Sequence, residues 1–191
     1  MTTSNELSCP MSTATAAAEK VLRASRNAIS DIQVDPAFLK VVALIADGGG
    51  TVITTGVGTS GDLASGGANL LASHEIPARF IHATDAAHGL LGAITARDIL
   101  IAVSESGCTP EVVDFAVKAQ ERASRVVVLT STPRSALSHP DRIEIVLPVP
   151  LEAFPKASCA ARSAWFSALT AATAAHRREH SDRDNRRSLP Q

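Results

Sequence analysis

Short runs of β-branched and other apolar residues, separated by stretches with helical spacing, constrain the fold of this chain more than any other feature. The runs cover residues 51–57, 78–83, 98–104, 125–131 and 142–149. Strands that are apolar on both faces and alternate with helices are typical of a parallel sheet with helices on both sides. The pattern therefore predicts an α/β protein built on a parallel sheet.

Two amphipathic helices are predicted before the first strand, over residues 12–32 and 36–47. Asp35 is a favoured N-cap residue, and Pro36 fits the first position of the second helix because that position needs no backbone N–H. The glycines at 48–50 then end this helix.

Helical patterns continue between and after the strands, at residues 61–73, 111–123 and 160–178. The length of the chain suits one domain. We therefore expect a single domain over residues 1–178, with helices in 12–47 and the sheet core in 51–178. The last residues, 179–191, are so polar that we expect a disordered tail there.

Charge and composition argue against several classes of function. Lysine and arginine total 18 and aspartate and glutamate 19, so the net charge of -1 provides no basic surface for nucleic acid. No stretch reaches the roughly 18 consecutive apolar residues that a membrane span needs. Cys9, Cys108 and Cys159 are too far apart for a zinc motif or a disulfide framework. We expect a cytoplasmic protein without nucleic-acid or membrane partners, and without a metal or cofactor.

Two strand-to-helix junctions carry small polar residues where a parallel sheet collects ligands, at the carboxyl ends of its strands. These residues are Gly58, Thr59 and Ser60 in the first junction and Ser104, Ser106, Gly107 and Thr109 in the second. A helix N-terminus carries unpaired N–H groups and a partial positive charge, which stabilise a bound anion. Hydroxyl side chains add donors without filling the space that a phosphate needs. Both junctions are therefore candidate phosphate-binding sites.

The same residues also have an ordinary structural explanation. Serine and threonine are common N-caps, and Thr109, Pro110 and Glu111 together form a typical helix start. The glycine-rich first loop is neither a Walker A motif nor a complete dinucleotide-binding fingerprint. From spacing alone, phosphate binding and simple capping both stay open.

Four motifs occur in an order that narrows these alternatives: VGTSGDLA at 57–64, PARFIHATDAAHGLLGAI at 77–94, DILIAVSESGCTPEVV at 98–113 and VPLEAFP at 149–155. Together they resemble the sugar isomerase (SIS) domain, and they are most similar to its arabinose-5-phosphate isomerase branch. The resemblance spans residues 41–175. It implies a three-layer α/β/α sandwich with a five-stranded parallel sheet of the flavodoxin-like kind, preceded here by two N-terminal helices. Members often carry CBS modules after this domain, and we expect none here.

The resemblance also implies an activity, the interconversion of an aldose phosphate and a ketose phosphate through an enediol. Such a reaction needs a base that moves a proton between neighbouring carbons and a group that serves the oxygens. Carried over by motif, Glu152 is the candidate carbon base, His88 the group for ring opening or oxygen proton transfer, and Glu111 a residue that shares or orients. The roles of the two glutamates stay interchangeable. The phosphate ligands implied by the motifs are Ser104, Ser106 and Thr109, assisted by Thr59 and Ser60.

One departure from the family pattern bears on the phosphate. The family's first loop reads GKSG, whereas this chain has GTSG, with Thr59 in place of the lysine. Lys156 and Arg162 follow the LEAFP motif, and we expect one of them to supply the missing cation. The family's late histidine also has no counterpart, since His176 and His180 lie in a different setting and are expected to be solvated.

Two other functions stay open at this level. A non-catalytic module would keep the phosphate site and use the sugar phosphate as a regulatory ligand, and a different chemistry would use the same scaffold. The apolar stripe of the first helix predicts self-association as a homodimer or homotetramer, because one small domain would leave the stripe exposed.

Overall fold

The computed structural model describes residues 8–122, 124–147, 149 and 156–187, with side chains described within 12–181. The helices are α1 (Ser8–Ser30), α2 (Pro36–Asp47), α3 (Thr59–Ala72), α4 (Ala83–Ala87), α5 (Pro110–Glu121) and α6 (Lys156–Arg187), with a 3-10 turn at Leu90–Ala93. The strands are β1 (Val52–Thr55), β2 (Ala78–Phe80), β3 (Ile99–Val103), β4 (Arg125–Thr130) and β5 (Ile143–Val146). Each predicted strand is confirmed.

All five strands are parallel and lie in the order β2-β1-β3-β4-β5. The α/β fold and the five-stranded parallel sheet are therefore confirmed. The strand order reverses between β1 and β3, so the chain leaves these neighbours toward opposite faces of the sheet. Such a reversal opens a crevice at the carboxyl ends of the two strands, where ligands of doubly wound folds bind. The two candidate loops lie at this crevice.

Alternate residues of the central strands contact different helical layers, because side chains of a strand point to its two faces in turn. On β3, Ile99 and Ile101 belong to the core that includes α1, α2, α3 and α6, whereas Leu100 and Ala102 belong to the core with α4 and α5. Every residue of β3 is buried. The sheet is thus the middle layer of a three-layer sandwich.

α2 begins as its sequence predicts. The backbone N–H of Phe38 donates to the Asp35 carboxylate at 2.8 Å, and the chain leaves the helix at Gly48. α1 packs on α6, yet the side chains of Leu22 and Ile29 stay largely exposed. No helix in the described part of the chain is long and apolar enough to cross a membrane.

α6 is the central helix of the larger layer and contacts α1, α2 and α3. Its Trp165 packs edge-on against Phe38 of α2 and against Phe166. Gly67 lets α3 approach closely, because a Cβ at this position would lie 2.5 Å from the Phe166 ring. The position of α6 is therefore fixed by close packing along its length.

The C-terminal end of α6 differs from the sequence expectation. The helix continues to Arg187, so residues 179–187 are helical where we predicted a disordered tail beginning after residue 178. Extending an existing helix costs far less than nucleating one, so a polar segment can continue a helix that packing has already formed. Residues 188–191 lie outside the described part of the chain.

At the amino ends of the strands a buried carboxylate joins separate segments. Asp98 accepts hydrogen bonds from the backbone N–H of Thr51 at 2.8 Å and of Thr95 at 2.7 Å, and from the Thr95 hydroxyl at 3.0 Å. Burial alone raises the pKa of Asp98, but these donors and the charge of Arg79 hold its pKa below the usual value. Asp98 is a structural connection at the edge opposite to the candidate loops.

Candidate functional site

The loop between β1 and α3 is shaped by close contact between backbone segments. A Cβ on Gly56 would lie 2.8 Å from backbone atoms of Ser60 and Gly61, and Gly58 has a φ of +57°. Both positions therefore need glycine. The turn places Thr59 and Ser60 at the start of α3, and neither hydroxyl has a hydrogen-bond partner among the described residues.

The loop between β3 and α5 is fixed by hydrogen bonds to one carbonyl. The carbonyl oxygen of Glu105 accepts from the backbone N–H of Ser131 at 3.1 Å and from the hydroxyls of Thr130 at 3.1 Å and Thr132 at 3.3 Å. All three donors lie at or just after the end of β4. The loop is therefore attached to the neighbouring strand at its centre.

Gly107 is the second position at which the conformation of this loop is fixed. Its φ is +63°, and a Cβ there would overlap the side chain of Ser135. Its carbonyl oxygen accepts the backbone N–H of Leu137 at 3.0 Å. The path of the chain into α5 thus depends on glycine both for its dihedral angle and for the absence of a side chain.

The predicted hydroxyl residues of this loop differ in accessibility. Ser104 is only 1% exposed, and its Oγ lies 2.9 Å from Oγ1 of Thr109. Thr109 is the N-cap of α5 by position, but its hydroxyl makes no capping hydrogen bond within the described chain. Ser106 is exposed, and its Oγ accepts the N–H of Cys108 at 3.2 Å. The hydroxyl of Ser104 therefore pairs with that of Thr109, which is half-buried, whereas Ser106 is exposed.

An open cleft lies between the start of α3, the β3–α5 loop and the first turns of α6. Its walls are formed by Val57, Thr59, Ser60, Leu63, Glu105, Ser158, Cys159 and Arg162. Arg162, one of the two cations predicted for the site, therefore lines the same cleft as Thr59 and Ser60. The side chain of Lys156, the other predicted cation, lies outside the described part of the structure.

Arg162 is buried and is bonded to an acid in this cleft. Its Nη1 donates to a carboxylate oxygen of Glu105, and its Nη2 donates to Oγ of Ser131 at 3.1 Å. The side chain of Arg162 is 2% exposed and that of Glu105 is 24% exposed. Nε of Arg162 is buried without a hydrogen-bond partner among the described residues. The charge of the cation is thus already balanced by a carboxylate from the middle of the serine loop.

Glu105 is not among the residues predicted from the sequence, although the position of Arg162 on α6 indicates that an acidic partner is needed. Arg162 lies on the buried stripe of this helix, next to Ala161 and one turn from Trp165 and Phe166. A guanidinium on a buried stripe needs an anionic partner, because an unpaired buried charge is costly. Glu105, the acid in the β3–α5 loop at the carboxyl edge of the sheet, is this partner.

The predicted catalytic residues are partly described. Glu111 is exposed in the first turn of α5, and His88 is exposed at the C-terminal end of α4, which packs against α5. Neither is among the described residues that line the cleft of Arg162. Glu152 lies outside the described residues, so the assignment of the carbon base stays a prediction.

The sheet order and the two polar loops at its reversal define a flavodoxin-like α/β protein with a candidate anion site at the carboxyl edge of the sheet. Residues 44–175 match the SIS domain. The chain therefore belongs to the SIS domain family, as the motifs had indicated.

Curated relatives of this chain include arabinose 5-phosphate isomerases. KdsD of Pseudomonas aeruginosa is 30% identical over 140 residues, which cover 72% of this chain and 43% of the relative. KdsD of Francisella tularensis is 34% identical over 125 residues, which cover 64% of this chain and 38% of the relative. The chain thus matches less than half the length of either relative.

Solved structures share the fold over most of the chain. A proposed sugar-phosphate isomerase from Listeria monocytogenes has a TM-score of 0.77 and 29% identity, with 83% of this chain and 87% of that chain covered. A ligand-bound protein from Escherichia coli has a TM-score of 0.80 and 24% identity, with 87% of this chain and 93% of that chain covered. At that identity, the second similarity supports the fold alone.

Proposed function

We propose that this protein is an isomerase that interconverts aldose and ketose phosphates through an enediol, similar to the arabinose 5-phosphate isomerases. The β3–α5 loop carries this proposal, because the exposed Ser106 and the half-buried Thr109 lie at the N-terminus of α5 beside the strand-order reversal. Hydroxyl donors and the partial positive charge of the helix end both stabilise phosphate oxygens. The identity with KdsD supports the same reaction class.

The enediol reaction divides the work between several side chains. A base removes the proton next to the carbonyl and returns it to the neighbouring carbon, while another group carries a proton between the two oxygens. We assign the carbon base to Glu152, the oxygen transfer to His88, and a sharing or orienting role to Glu111. Exchanging the two glutamates gives an equivalent mechanism.

Proton NMR in deuterated water, with aldose and ketose phosphates of different chain lengths, tests the reaction. We expect conversion of at least one sugar phosphate, with deuterium entering at the carbon next to the carbonyl. Glu152→Gln and His88→Ala should abolish conversion, whereas His74→Ala, an exposed histidine at the opposite edge of the sheet, should keep the full rate. If the unchanged chain converts no sugar phosphate, the isomerase proposal is wrong.

A non-catalytic module that binds a sugar phosphate is the second candidate, and one observation favours it. Thr59 stands where the family has a lysine, and Arg162, the cation that lines the same cleft, is bonded to Glu105. A cation that is already paired with a carboxylate neutralises less of the negative charge of a bound sugar phosphate than a free lysine does. In that case sugar phosphates would raise the melting temperature while none of them is converted.

The charge pair in the cleft provides a test with two opposite outcomes. Arg162→Ala leaves the carboxylate of Glu105 unpaired, so the KM or Kd for a sugar phosphate should rise at least about tenfold, or ~1.4 kcal/mol. Glu105→Gln frees the charge of Arg162 and should lower the same constant severalfold. Calorimetric titration of both variants measures the effect. An unchanged constant in Arg162→Ala would exclude this cation from the ligand site.

We also propose that the protein self-associates as a homodimer or homotetramer. Leu22 of α1 is 70% exposed and Leu39 of α2 is 54% exposed, and burying such side chains against a second copy is favourable. Size-exclusion chromatography with light scattering measures the mass in solution. A stable monomer would contradict this proposal, and it would also weaken the proposed active site.

A further inference from the structure

Three metal-ligating side chains meet at the amino edge of the sheet, far from the candidate loops. Asp47 is the last residue of α2, and His176 and His180 lie about one turn apart on α6. One ligand atom of each residue lies within 4.8 Å of those of the other two. We expected both histidines to be merely solvated, but the structure places them together with a carboxylate from another helix.

One buried polar atom of this cluster makes no hydrogen bond to the described residues. The rings of His176 and His180 stack with their centroids 4.4 Å apart and their planes at 27°. Nε2 of His176 lies 3.6 Å from a carboxylate oxygen of Asp47, which is too long for a hydrogen bond. This nitrogen is buried and has no hydrogen-bond partner among the described residues. Buried polar atoms in native proteins almost always have a partner, so the cluster lacks one.

Contacts of the neighbouring residue hold the two helices in place. Arg177 donates to the carbonyl of Ile45 at 3.3 Å and to the carbonyl of Glu75 at 3.1 Å. α6 is therefore attached both to the end of α2 and to the segment before β2. Ligands on two fixed helices need only small side-chain rotations to reach the spacing of about 3.3 Å that tetrahedral zinc requires.

We propose that Asp47, His176 and His180 bind one Zn²⁺ ion. Imidazole nitrogen and carboxylate oxygen are both zinc ligands, and histidines at positions i and i+4 lie on the same face of a helix. Three protein ligands leave a fourth position for water or for a group from another molecule. The bound ion connects the end of α2 with α6 and stabilises the helical layer. The proposed zinc site is independent of the isomerase reaction.

Calorimetric titration of the full chain, without added histidines, with Zn²⁺ tests the site. We expect one equivalent to bind and to raise the melting temperature by roughly 5–10 °C at a hundredfold excess over Kd. Asp47→Ala and His180→Ala should each weaken binding at least about tenfold and remove the temperature shift. His74→Ala, an exposed histidine at the same edge, should bind as the unchanged chain does. Melting curves without zinc verify that each variant folds.

Cobalt substitution separates this site from one that uses a cysteine or the candidate loops. Co²⁺ bound by two imidazoles and a carboxylate should absorb in the visible range without the charge-transfer band of a cobalt–thiolate bond. A thiolate band would overturn the proposal. It would equally be overturned if Asp47→Ala and His180→Ala bind Zn²⁺ as tightly as the unchanged chain, or if tight binding is lost in His88→Ala instead.

Discussion

The two loops at the strand-order reversal look alike in composition but are built differently. The β1–α3 loop is shaped by glycine backbone, with Gly56 packed against the first turn of α3, and its Thr59 and Ser60 hydroxyls have no partner among the described residues. The β3–α5 loop is held by donors around the Glu105 carbonyl, and one of its hydroxyls positions another. The hydroxyl side chains of the first loop can therefore reorient, whereas the hydroxyl groups and backbone of the second loop are held in one arrangement by hydrogen bonds.

Gly107→Ala should cause the largest loss of stability, because it alters the loop that is attached both at the Glu105 carbonyl and at Gly107. The substitution forces a φ of +63° on alanine and overlaps Ser135. We expect the free energy of unfolding, measured by urea denaturation, to fall by about 2–4 kcal/mol.

Gly66→Ala is the matched control for this prediction. Gly66 lies inside α3 with open space around its Cα, so alanine should raise stability by about 0.5–1 kcal/mol. A Gly107→Ala variant as stable as the unchanged chain would show that the second loop is no more constrained than the first.

Gly56→Ala should have a smaller effect, confined to the first loop. The added Cβ would meet backbone atoms of Ser60 and Gly61 at 2.8 Å, so the start of α3 must move. We expect a loss of about 1–3 kcal/mol. Hydrogen exchange should accelerate at the first amides of α3 and stay unchanged at those of α5. Equal acceleration in both helices would mean that the two loops move together.

Removal of single hydroxyl groups should cause the smallest changes in stability. These substitutions compare the two loops directly. Thr109→Val keeps the shape of the side chain but leaves the buried Oγ of Ser104 without its partner, which costs about 1–2 kcal/mol. Ser60→Ala removes a hydroxyl that bonds to nothing in the described chain and should change stability by no more than about 0.5 kcal/mol. Similar losses for both variants in urea denaturation would contradict the difference between the loops.

The sequence predicted the layers of this fold because burial on both faces leaves a simple pattern. Strands such as Ile99–Val103 are apolar throughout, and the Asp35 cap predicted the start of α2 to the residue. The apolar runs do not specify which strands are neighbours, and only the resemblance to a family with a flavodoxin-like sheet indicated how the strands are arranged. The length of α6 was underestimated because polarity after residue 178 was treated as disorder, whereas helix propagation depends on the preceding turns.

Much of the candidate site depends on contacts that local sequence does not contain. Ser104 was predicted as a phosphate ligand, yet packing at the end of β3 buries it, and only the tertiary structure reveals this. The partners Glu105 and Arg162 are separated by 57 positions, so no periodicity connects them. The cluster of Asp47 with His176 has the same origin, because it forms only where α6 crosses the end of α2. The polar loops themselves were predictable, since they follow directly from the ends of buried strands.

Arg162 and His176 belong to one uninterrupted helix, separated along its axis by about four turns, or roughly 21 Å. This helix is one rigid element that runs from the carboxyl edge of the sheet to its amino edge. If α6 shifts along its axis, both of its ends move by the same distance, because the helix does not shorten. The position of the guanidinium in the cleft is therefore geometrically tied to the register between α6 and α2 on the far side of the molecule.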